Sequence, residues 1–543
     1  MAVPALPPLL VRLLLPSLIC VLYSVILGTS DRFFAADGPH MLSQALRLGA
    51  MVRGGELWGA VAEGFRLSAP HPPFGYIPLV AGAVLGLPLR AVVLLGDLVW
   101  LAVLFDGVRR LVSPAPWWSA QLGWLVGASA SLTWWSADHH GFDLPAAAVV
   151  VAALGWLHQS AGLSDLRAAA GFGFWLAAGF LTKYSVPLVL FLPVMVVCLP
   201  ALRRNPRGLG VAVVTWAVLA GPWLVANHDA VAAYVSSALS PPSAPGNFPE
   251  QRTMIERFAG EGQLHFVTVL KDTLGWPVLA VLAGGALLAR RPVPLWGLVS
   301  GLIFLGAMNS REGRYAEPLV FLLAAAGAPV RAGGWQQAVM VLALVIPGLR
   351  ATADAYRASA ADLPSRRSLE HDPTRLWTLG PWPRPVTAFS PISEHPERWK
   401  VAEVLAAGAA ARVADTPLGI LLDTSPESPP SAVYQLVGED RGLRLDLLTI
   451  HALVGPQGLA SQSYRGPLTG SPPADTFSPL RREPSALDVV YVVTWPGGAG
   501  GRRWLAETPH AILQTWELPE GHQGALIRVA PRQALGGGLA PPP

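Results

Sequence analysis

The chain has 543 residues, of which 52% are hydrophobic and 14% charged, with a mean hydropathy of +0.43. An ordinary soluble domain carries roughly a quarter charged residues, so this balance excludes a typical soluble protein and indicates a membrane protein. The formal net charge of +4 does not indicate a nucleic-acid partner, because many arginines lie in short clusters between apolar blocks. Cys20 and Cys198 are the only cysteines and lie in apolar segments, which excludes a disulfide framework and a cysteine-based metal site.

Eleven apolar blocks predict transmembrane helices, because each is near the roughly 20 residues that cross a hydrocarbon core. The first block is interpreted as a span and not as a signal peptide, since no small-residue cleavage site precedes a soluble domain. The blocks lie at 8–28, 90–108, 117–136, 143–159, 167–182, 185–201, 209–227, 273–289, 293–308, 316–330 and 335–349. The predicted fold class is a polytopic α-helical membrane protein.

Arginine clusters predict the orientation of these spans. If the N-terminus is cytoplasmic, the even-numbered connections contain Arg109 and Arg110, then Arg167, then Arg203, Arg204 and Arg207, then Arg290 and Arg291, then Arg331. Every adjacent arginine pair of this half then faces the cytoplasm, as the positive-inside rule expects. Eleven crossings put the C-terminus outside. Almost all other polar residues of this half fall on the outer side, which predicts an outward-facing polar site.

The apolar stretch from Tyr76 to Leu89 is not counted as a span. It is short, it contains Pro78 and Pro88, and counting it would move every later arginine cluster to the outside. We interpret it as an interfacial or re-entrant helix, with a true span as the alternative.

The chain changes character after Leu349. Residues 365–394 are rich in proline and arginine and read as a linker. Strand-like runs at 419–422 and 487–494, a helical stretch at 401–413 and a final hairpin at 512–529 predict an α/β domain. The predicted domains are a transmembrane domain at 1–350 with an outer loop of interfacial helices at 29–89, a linker at 351–397, a soluble extracytoplasmic α/β domain at 398–533 and a disordered tail at 534–543.

The first outer loop carries the residues with the clearest chemical potential. Asp31 and Asp37 lie near its start, and His71 lies in a proline-rich run about thirty residues later. Asp37 precedes an amphipathic pattern that predicts a helix lying on the membrane, and a carboxylate at the start of a helix stays ionised. The alternatives are a helix cap for Asp37 and a rigid turn for His71.

Two segments of this loop, Ala36-Asp37-Gly38 to Leu48 and His71-Pro72-Pro73, resemble the first-loop signature of the GT-C glycosyltransferases. The similarity is to bacterial relatives of protein O-mannosyltransferases and aminoarabinose transferases. Gly38 stands where many members carry a second acidic residue, which argues against a metal site here. Four later segments also resemble motifs of this family and follow the order that the family has. They are Trp134 to Pro145, which includes Asp143-Leu144-Pro145; Gly179 to Tyr184; Gly221-Pro222-Trp223 to Asn227; and Arg314-Tyr315 with Pro318.

The resemblance implies an inverting glycosyltransferase that moves a sugar from a polyprenyl-phosphate donor to a hydroxyl of a lipid, glycan or protein. Such transfer needs a base at the acceptor and cations at the departing phosphate. Asp37 is the candidate base, and Asp31 is the less favoured one.

Lys183, Arg314 and His71 are candidate phosphate partners, and Tyr315 and Asp143 are further candidate substrate-binding residues. Lys183 could instead snorkel to the headgroups, and Arg314 could pair with Glu312.

A divalent metal at Asp138, His139, His140 and Asp143 is the weaker possibility, because these residues share one turn and no distant ligand is identifiable. We therefore assign no metal site and no certain cofactor. Two other functions stay open: a transporter or flippase of lipid-linked sugar intermediates, and a non-catalytic envelope assembly subunit. A transporter should show inverted repeats and ionisable residues at mid-membrane, whereas the candidate residues here gather at one face.

Overall fold

The computed structural model describes most of the N-terminal part of the chain and parts of the remainder. The described residues are 38–67, 72–139, 142–232, 261–289, 291–308, 313–328, 342–350, 400–413, 416–423, 438, 443, 445–450, 487–494, 502, 505–506, 508–518 and 521–529. The chain divides into two compact units. The first consists of Met1–Ser30 and Met51–Phe389, and the second of Asp31–Ala50 and Ser390–Pro543.

Helix α1 (Gly38–Arg53) lies largely in the second unit, and the described residues of the first unit are helical wherever they form regular structure. Residues 342–350 are helical, and the other helices of the first unit are α2 (Leu57–Leu67), α3 (Ile77–Val84), α4 (Leu89–Val112), α5 (Trp117–Ser129), α6 (Ser131–His139), α7 (Asp143–Gln159), α8 (Leu166–Phe180), α9 (Val186–Arg204), α10 (Pro206–Ala226), α11 (Glu261–Leu274), α12 (Trp276–Ala289), α13 (Pro292–Gly306) and α14 (Glu317–Gly327). Two 3-10 helices, Pro73–Tyr76 and Gly313–Ala316, precede α3 and α14.

Helix α7 is the centre of this unit, since it packs on α4, α8 and α14. Its alanine and valine side chains are buried on all sides. A Cβ on Gly107 of α4 would lie 2.8 Å from the Ala152 nitrogen, and one on Gly155 would lie 2.8 Å from the Gly107 carbonyl oxygen. Such close backbone approach at small residues is typical of helix pairs in membranes.

Three described helices are long and apolar enough to cross a membrane: α4, α9 and α10. Helices α11 and α12 form a fourth candidate if the pair counts as one span bent by 112°. Most of α10 is exposed and apolar, as expected for a lipid-facing helix. The chain is therefore an integral membrane protein. The count of eleven spans stays a prediction, because the other described apolar helices are shorter and the first block lies outside the described residues.

Several predicted blocks coincide with single helices, and others are broken. The block at 143–159 is α7 to the residue, whereas the block at 117–136 is divided between α5 and α6 at Ala130. The stretch Tyr76 to Leu89 contains α3, whose eight residues rise only about 12 Å, too short to cross a membrane.

A charged cluster lies at the C-terminal ends of α4 and α7. Asp106 accepts hydrogen bonds from Arg109 Nη2 at 2.7 Å and from Arg110 Nε at 2.5 Å. The Arg110 guanidinium also lies 3.7 Å from the centroid of the Trp156 ring and donates to Gln159. Both arginines of the pair expected at the cytoplasmic face therefore form an ion pair with Asp106.

The described part of the second unit includes helix α15 (Val401–Ala411) and a five-stranded sheet. Its strands are β1 (Leu418–Asp423), β2 (Leu445–Ile450), β3 (Val489–Thr494), β4 (His510–Glu517) and β5 (Gln523–Val529). The order is β2-β1-β3-β5-β4. Strand β1 is parallel to β2 and β3, and β5 is antiparallel to β3 and β4. Strand β2, absent from the sequence prediction, is added to the sheet by its pairing with β1.

The helices α1 and α2 of the first outer loop differ in what their apolar faces meet. In α1, Met41, Leu42 and Ala45 are buried, and this part of the helix belongs to the second unit. In α2, Leu57 and Trp58 are exposed, Trp58 by 82%. Protein covers these apolar side chains of α1, and the interfacial position of the helix stays a prediction. For α2 the exposed face fits an interfacial helix.

Candidate active site

A buried ion pair lies where the ends of α7 and α8 meet the segment before α14. Asp143 is in the first turn of α7, Lys183 follows α8, and Tyr315 lies in the 3-10 helix Gly313–Ala316. The Lys183 ammonium pairs with Asp143 Oδ1 and lies 4.5 Å from the centroid of the Tyr315 ring. Asp143 is 4% exposed and Lys183 is 16% exposed, so the pair is largely removed from solvent.

The turn between α8 and α9 explains how Lys183 reaches this position. Thr182 Oγ1 donates to the Ala178 carbonyl at 2.7 Å, and the Lys183 N–H donates to the Gly179 carbonyl at 3.3 Å. A Cβ on Gly179 would lie 2.7 Å from Val186 Cγ1. Glycine at position 179 therefore lets α9 begin directly beside the end of α8. The turn between the two helices places Lys183 where their ends meet.

The proline-rich run of the first loop packs against both of these segments. The Phe74 N–H donates to the Leu181 carbonyl at 2.7 Å. The Tyr76 ring packs edge-on against Phe142, with centroids 4.8 Å apart. A Cβ on Gly75 would lie 2.3 Å from Phe142 Cε1, so only glycine fits there. The run therefore lies beside the ion pair, because Phe142 directly precedes Asp143 and Leu181 is two residues before Lys183.

Two further carboxyl groups belong to the same neighbourhood. Glu317, in the first turn of α14, is fully buried, and Asp143, Lys183 and Asp97 lie close enough to act on its charge. Asp97 is itself 7% exposed within α4. Sequence reasoning missed both residues, although an ionisable residue inside an apolar block indicates a functional site by default.

A small cavity adjoins the ion pair. Its polar lining consists of Asp143, Ser185 and Tyr315, and its apolar lining includes Val186, Val189 and Pro318. Polar and apolar side chains therefore face the same small space beside the ion pair.

No group of three histidine, cysteine or carboxylate side chains among the described residues could hold a metal ion. The metal alternative at 138–143 is not tested by this, because His140 lies outside the described residues and no side-chain placement is described for Asp138 or His139. The described part of the Asp143 environment is an ion pair with Lys183.

No protein-family model matches the sequence, and no curated protein matches it. Solved structures do match. The crystal structure of ArnT from Cupriavidus metallidurans in the apo state is 13% identical, with a TM-score of 0.57, over 95% of this chain and 97% of that one. The structure of the same protein bound to undecaprenyl phosphate is 15% identical, with a TM-score of 0.56, over 95% and 98%.

ArnT is a GT-C protein, and the match extends over both parts of the present chain. The chain has the GT-C fold. At this level of identity the likeness concerns the fold alone. The GT-C resemblance inferred from the motifs is thereby confirmed by an observation that does not depend on them.

The structure brings together some of the residues from the GT-C-like motifs identified in the sequence. Asp143, Lys183 and Tyr315, which are far apart in the chain, lie together. The backbone of Arg314 is in the adjoining 3-10 helix, and nothing is described of its side chain. Asp31, Asp37 and His71 lie outside the described residues, so their assignments stay predictions.

Proposed function

We propose that this protein is an inverting glycosyltransferase. It moves a sugar from a polyprenyl-phosphate donor to an acceptor hydroxyl of a lipid, glycan or protein at the outer face of the membrane. The observation that carries the proposal is the Lys183 ammonium, held at a small cavity in a fold shared with a protein solved in complex with undecaprenyl phosphate.

The departing group of this reaction is an anionic lipid phosphate, and a cation at a low-dielectric site stabilises it. Lys183 supplies the cation at the end of α8, with Arg314 and His71 as its proposed partners. Tyr315 and Asp143 hold Lys183 in place through the ring contact and the ion pair. The ion pair with Asp143 holds the Lys183 ammonium inside the protein, which argues against snorkelling to the headgroups.

The acceptor hydroxyl needs a base that removes its proton as the new bond forms. Asp37 takes that role in the proposal, because it stands directly before Gly38, the first residue of α1, and occupies the motif position of the family. Asp31 is the second choice. The proposed orientation puts the N-terminus in the cytoplasm and the C-terminal unit outside, which agrees with the arginine pair engaged at the opposite end of α7.

Donor cleavage by the purified protein in lipid nanodiscs tests the proposal. The glycosyltransferase should release polyprenyl phosphate from the sugar-linked lipid, in the presence of an envelope lipid and glycan extract as acceptor source. A transporter would leave the sugar–phosphate bond intact, and an assembly subunit would neither bind nor cleave the donor. Mass spectrometry of envelope glycans and lipids from a deletion strain then identifies the acceptor by the missing sugar.

A further inference from the structure

The Ser185 hydroxyl is a polar group that the proposed reaction does not yet use. Ser185 lies two residues after Lys183 and directly before α9. The residue is only 9% exposed, and it lines the small cavity beside the ion pair together with Asp143 and Tyr315. A hydroxyl buried without a hydrogen bond is costly. The cavity is the place where an atom of a ligand could supply that bond.

Helix α9 does not use this hydroxyl. A serine that caps a helix usually has an extended backbone, and its hydroxyl accepts from an N–H group of the first turn. Ser185 instead has φ −75° and ψ −20°, which are helical values, and its side chain makes no capping hydrogen bond. The hydroxyl makes no other hydrogen bond within the part of the chain that the structure describes. Its hydrogen-bonding capacity is therefore open to a ligand in the cavity.

The backbone beside Ser185 does not favour an anion in this cavity. The N-terminus of a helix binds anions through free N–H groups. In the first turn of α9, Pro187 has no N–H, and the N–H groups of Val186 and Leu188 already donate to backbone carbonyls, at 3.0 and 3.2 Å. The carboxylate of Asp143 in the cavity lining also repels an anion. The donor phosphate is therefore better placed at the ammonium of the ion pair than in the cavity.

A neutral hydroxyl of the ligand suits this lining better. A hydroxyl group donates one hydrogen bond and accepts others, so it can pair with the Ser185 hydroxyl in either direction. It carries no charge that the carboxylate of Asp143 would repel. The apolar lining of the cavity, formed by Val186, Val189 and Pro318, lies beside these polar groups. A sugar ring presents the matching combination, because its C–H groups alternate with hydroxyls.

We infer that Ser185 binds the sugar of the lipid donor: its hydroxyl forms a hydrogen bond with one sugar hydroxyl in the small cavity, while the Lys183 ammonium binds the phosphate. This role rests on the proposed function. The sugar of such a donor is bonded directly to the phosphate, and the cavity adjoins the ion pair of Lys183, so both groups fit one bound molecule. The cavity is thereby assigned to a neutral part of the sugar, and a sugar carboxylate is excluded from it.

Lipids with and without a sugar separate this role from a structural one. The full chain in nanodiscs is titrated with undecaprenyl phosphate and with undecaprenyl phosphates that carry neutral pentoses or hexoses. In Ser185→Ala, the Kd for the sugar-linked lipid that wild type binds most tightly should rise about three- to thirtyfold, because the sugar hydroxyl loses its partner. The Kd for sugar-free undecaprenyl phosphate should stay within about twofold of wild type. Ser164→Ala, at the other end of α8, is the matched control and should bind both lipids as wild type does.

Monodeoxy analogues of the preferred sugar then identify the hydroxyl that Ser185 binds. Wild type should bind one analogue about three- to thirtyfold more weakly than the parent lipid, whereas Ser185→Ala should bind the two about equally. Unchanged affinity for the sugar-linked lipid in Ser185→Ala would overturn the inference. Equal weakening for both lipids, or a loss that is independent of every sugar hydroxyl, would do so as well. Failure of wild-type protein to bind any of these lipids would instead contradict the proposed function.

Discussion

Charged clusters lie at both ends of α7, about 24 Å apart along the helix, and they differ in how their charges are satisfied. At the C-terminal end, Asp106 is 45% exposed and accepts from Arg109 and Arg110. At the N-terminal end, Asp143 and Glu317 are buried, and Lys183 is the cation that pairs with Asp143.

The difference separates a topological role from a chemical one. Paired charges that stay partly exposed at a span end cost less and set orientation. Buried charges that are incompletely satisfied cost far more and are retained where a ligand or reaction uses them. We therefore expect substitutions at the Asp143 end of α7 to impair function strongly, and substitutions at the Asp106 end to impair it little.

Lys183→Ala should have the largest effect, because it removes the cation proposed to stabilise the donor phosphate and breaks the buried ion pair with Asp143. Such a loss corresponds to roughly a hundred- to several-thousand-fold, measured as the affinity for undecaprenyl phosphate and the rate of donor turnover. Lys183→Arg keeps the charge and should retain far more of both. Unchanged donor affinity in the alanine variant would favour snorkelling and remove the contrast between the two ends.

Asp37→Asn should slow sugar transfer by at least about a hundredfold, because the amide keeps a capping hydrogen bond but cannot accept the proton of the hydroxyl. Donor affinity and thermal stability should stay near those of wild type, which distinguishes a base from a helix cap. Near-normal turnover would leave Asp37 as a cap, and Asp31 or Asp143 would become the next residue to test.

Tyr315→Leu should weaken donor binding by roughly three- to thirtyfold, because it removes the ring that faces the Lys183 ammonium. Tyr315→Phe keeps the ring and should behave almost as wild type in the same titration. If Phe were as damaging as Leu, the hydroxyl and not the ring would be the functional group.

Asp106→Asn should have the smallest effect on catalysis. Transfer should stay within about twofold of wild type, because this partly exposed cluster lies at the opposite end of α7 from Lys183. A large loss of transfer by the folded variant would mean that the two ends of α7 are coupled, and that the contrast drawn between them is wrong.

Much of the helical unit was predictable because its signal is local. The block at 143–159 coincides with α7, and the 90–108 block lies inside α4. The GT-C motifs were also readable as short segments, and three of their residues, Asp143, Lys183 and Tyr315, lie together. Glu317 was overlooked between Tyr315 and Pro318, because its meaning depends on neighbours that are distant in the chain.

The sequence by itself determined the membrane class, the approximate position of most described helices and the order of the candidate motifs, since hydropathy and helix signals act over a few turns. Tertiary structure decided the break at Ala130, the 112° bend between α11 and α12, the burial of the apolar face of α1, and the pairing of Lys183 with a carboxylate 40 residues away. These features depend on which surfaces meet in three dimensions. A charge buried by such packing acquires its cost, and its function, only from the groups that the fold brings beside it.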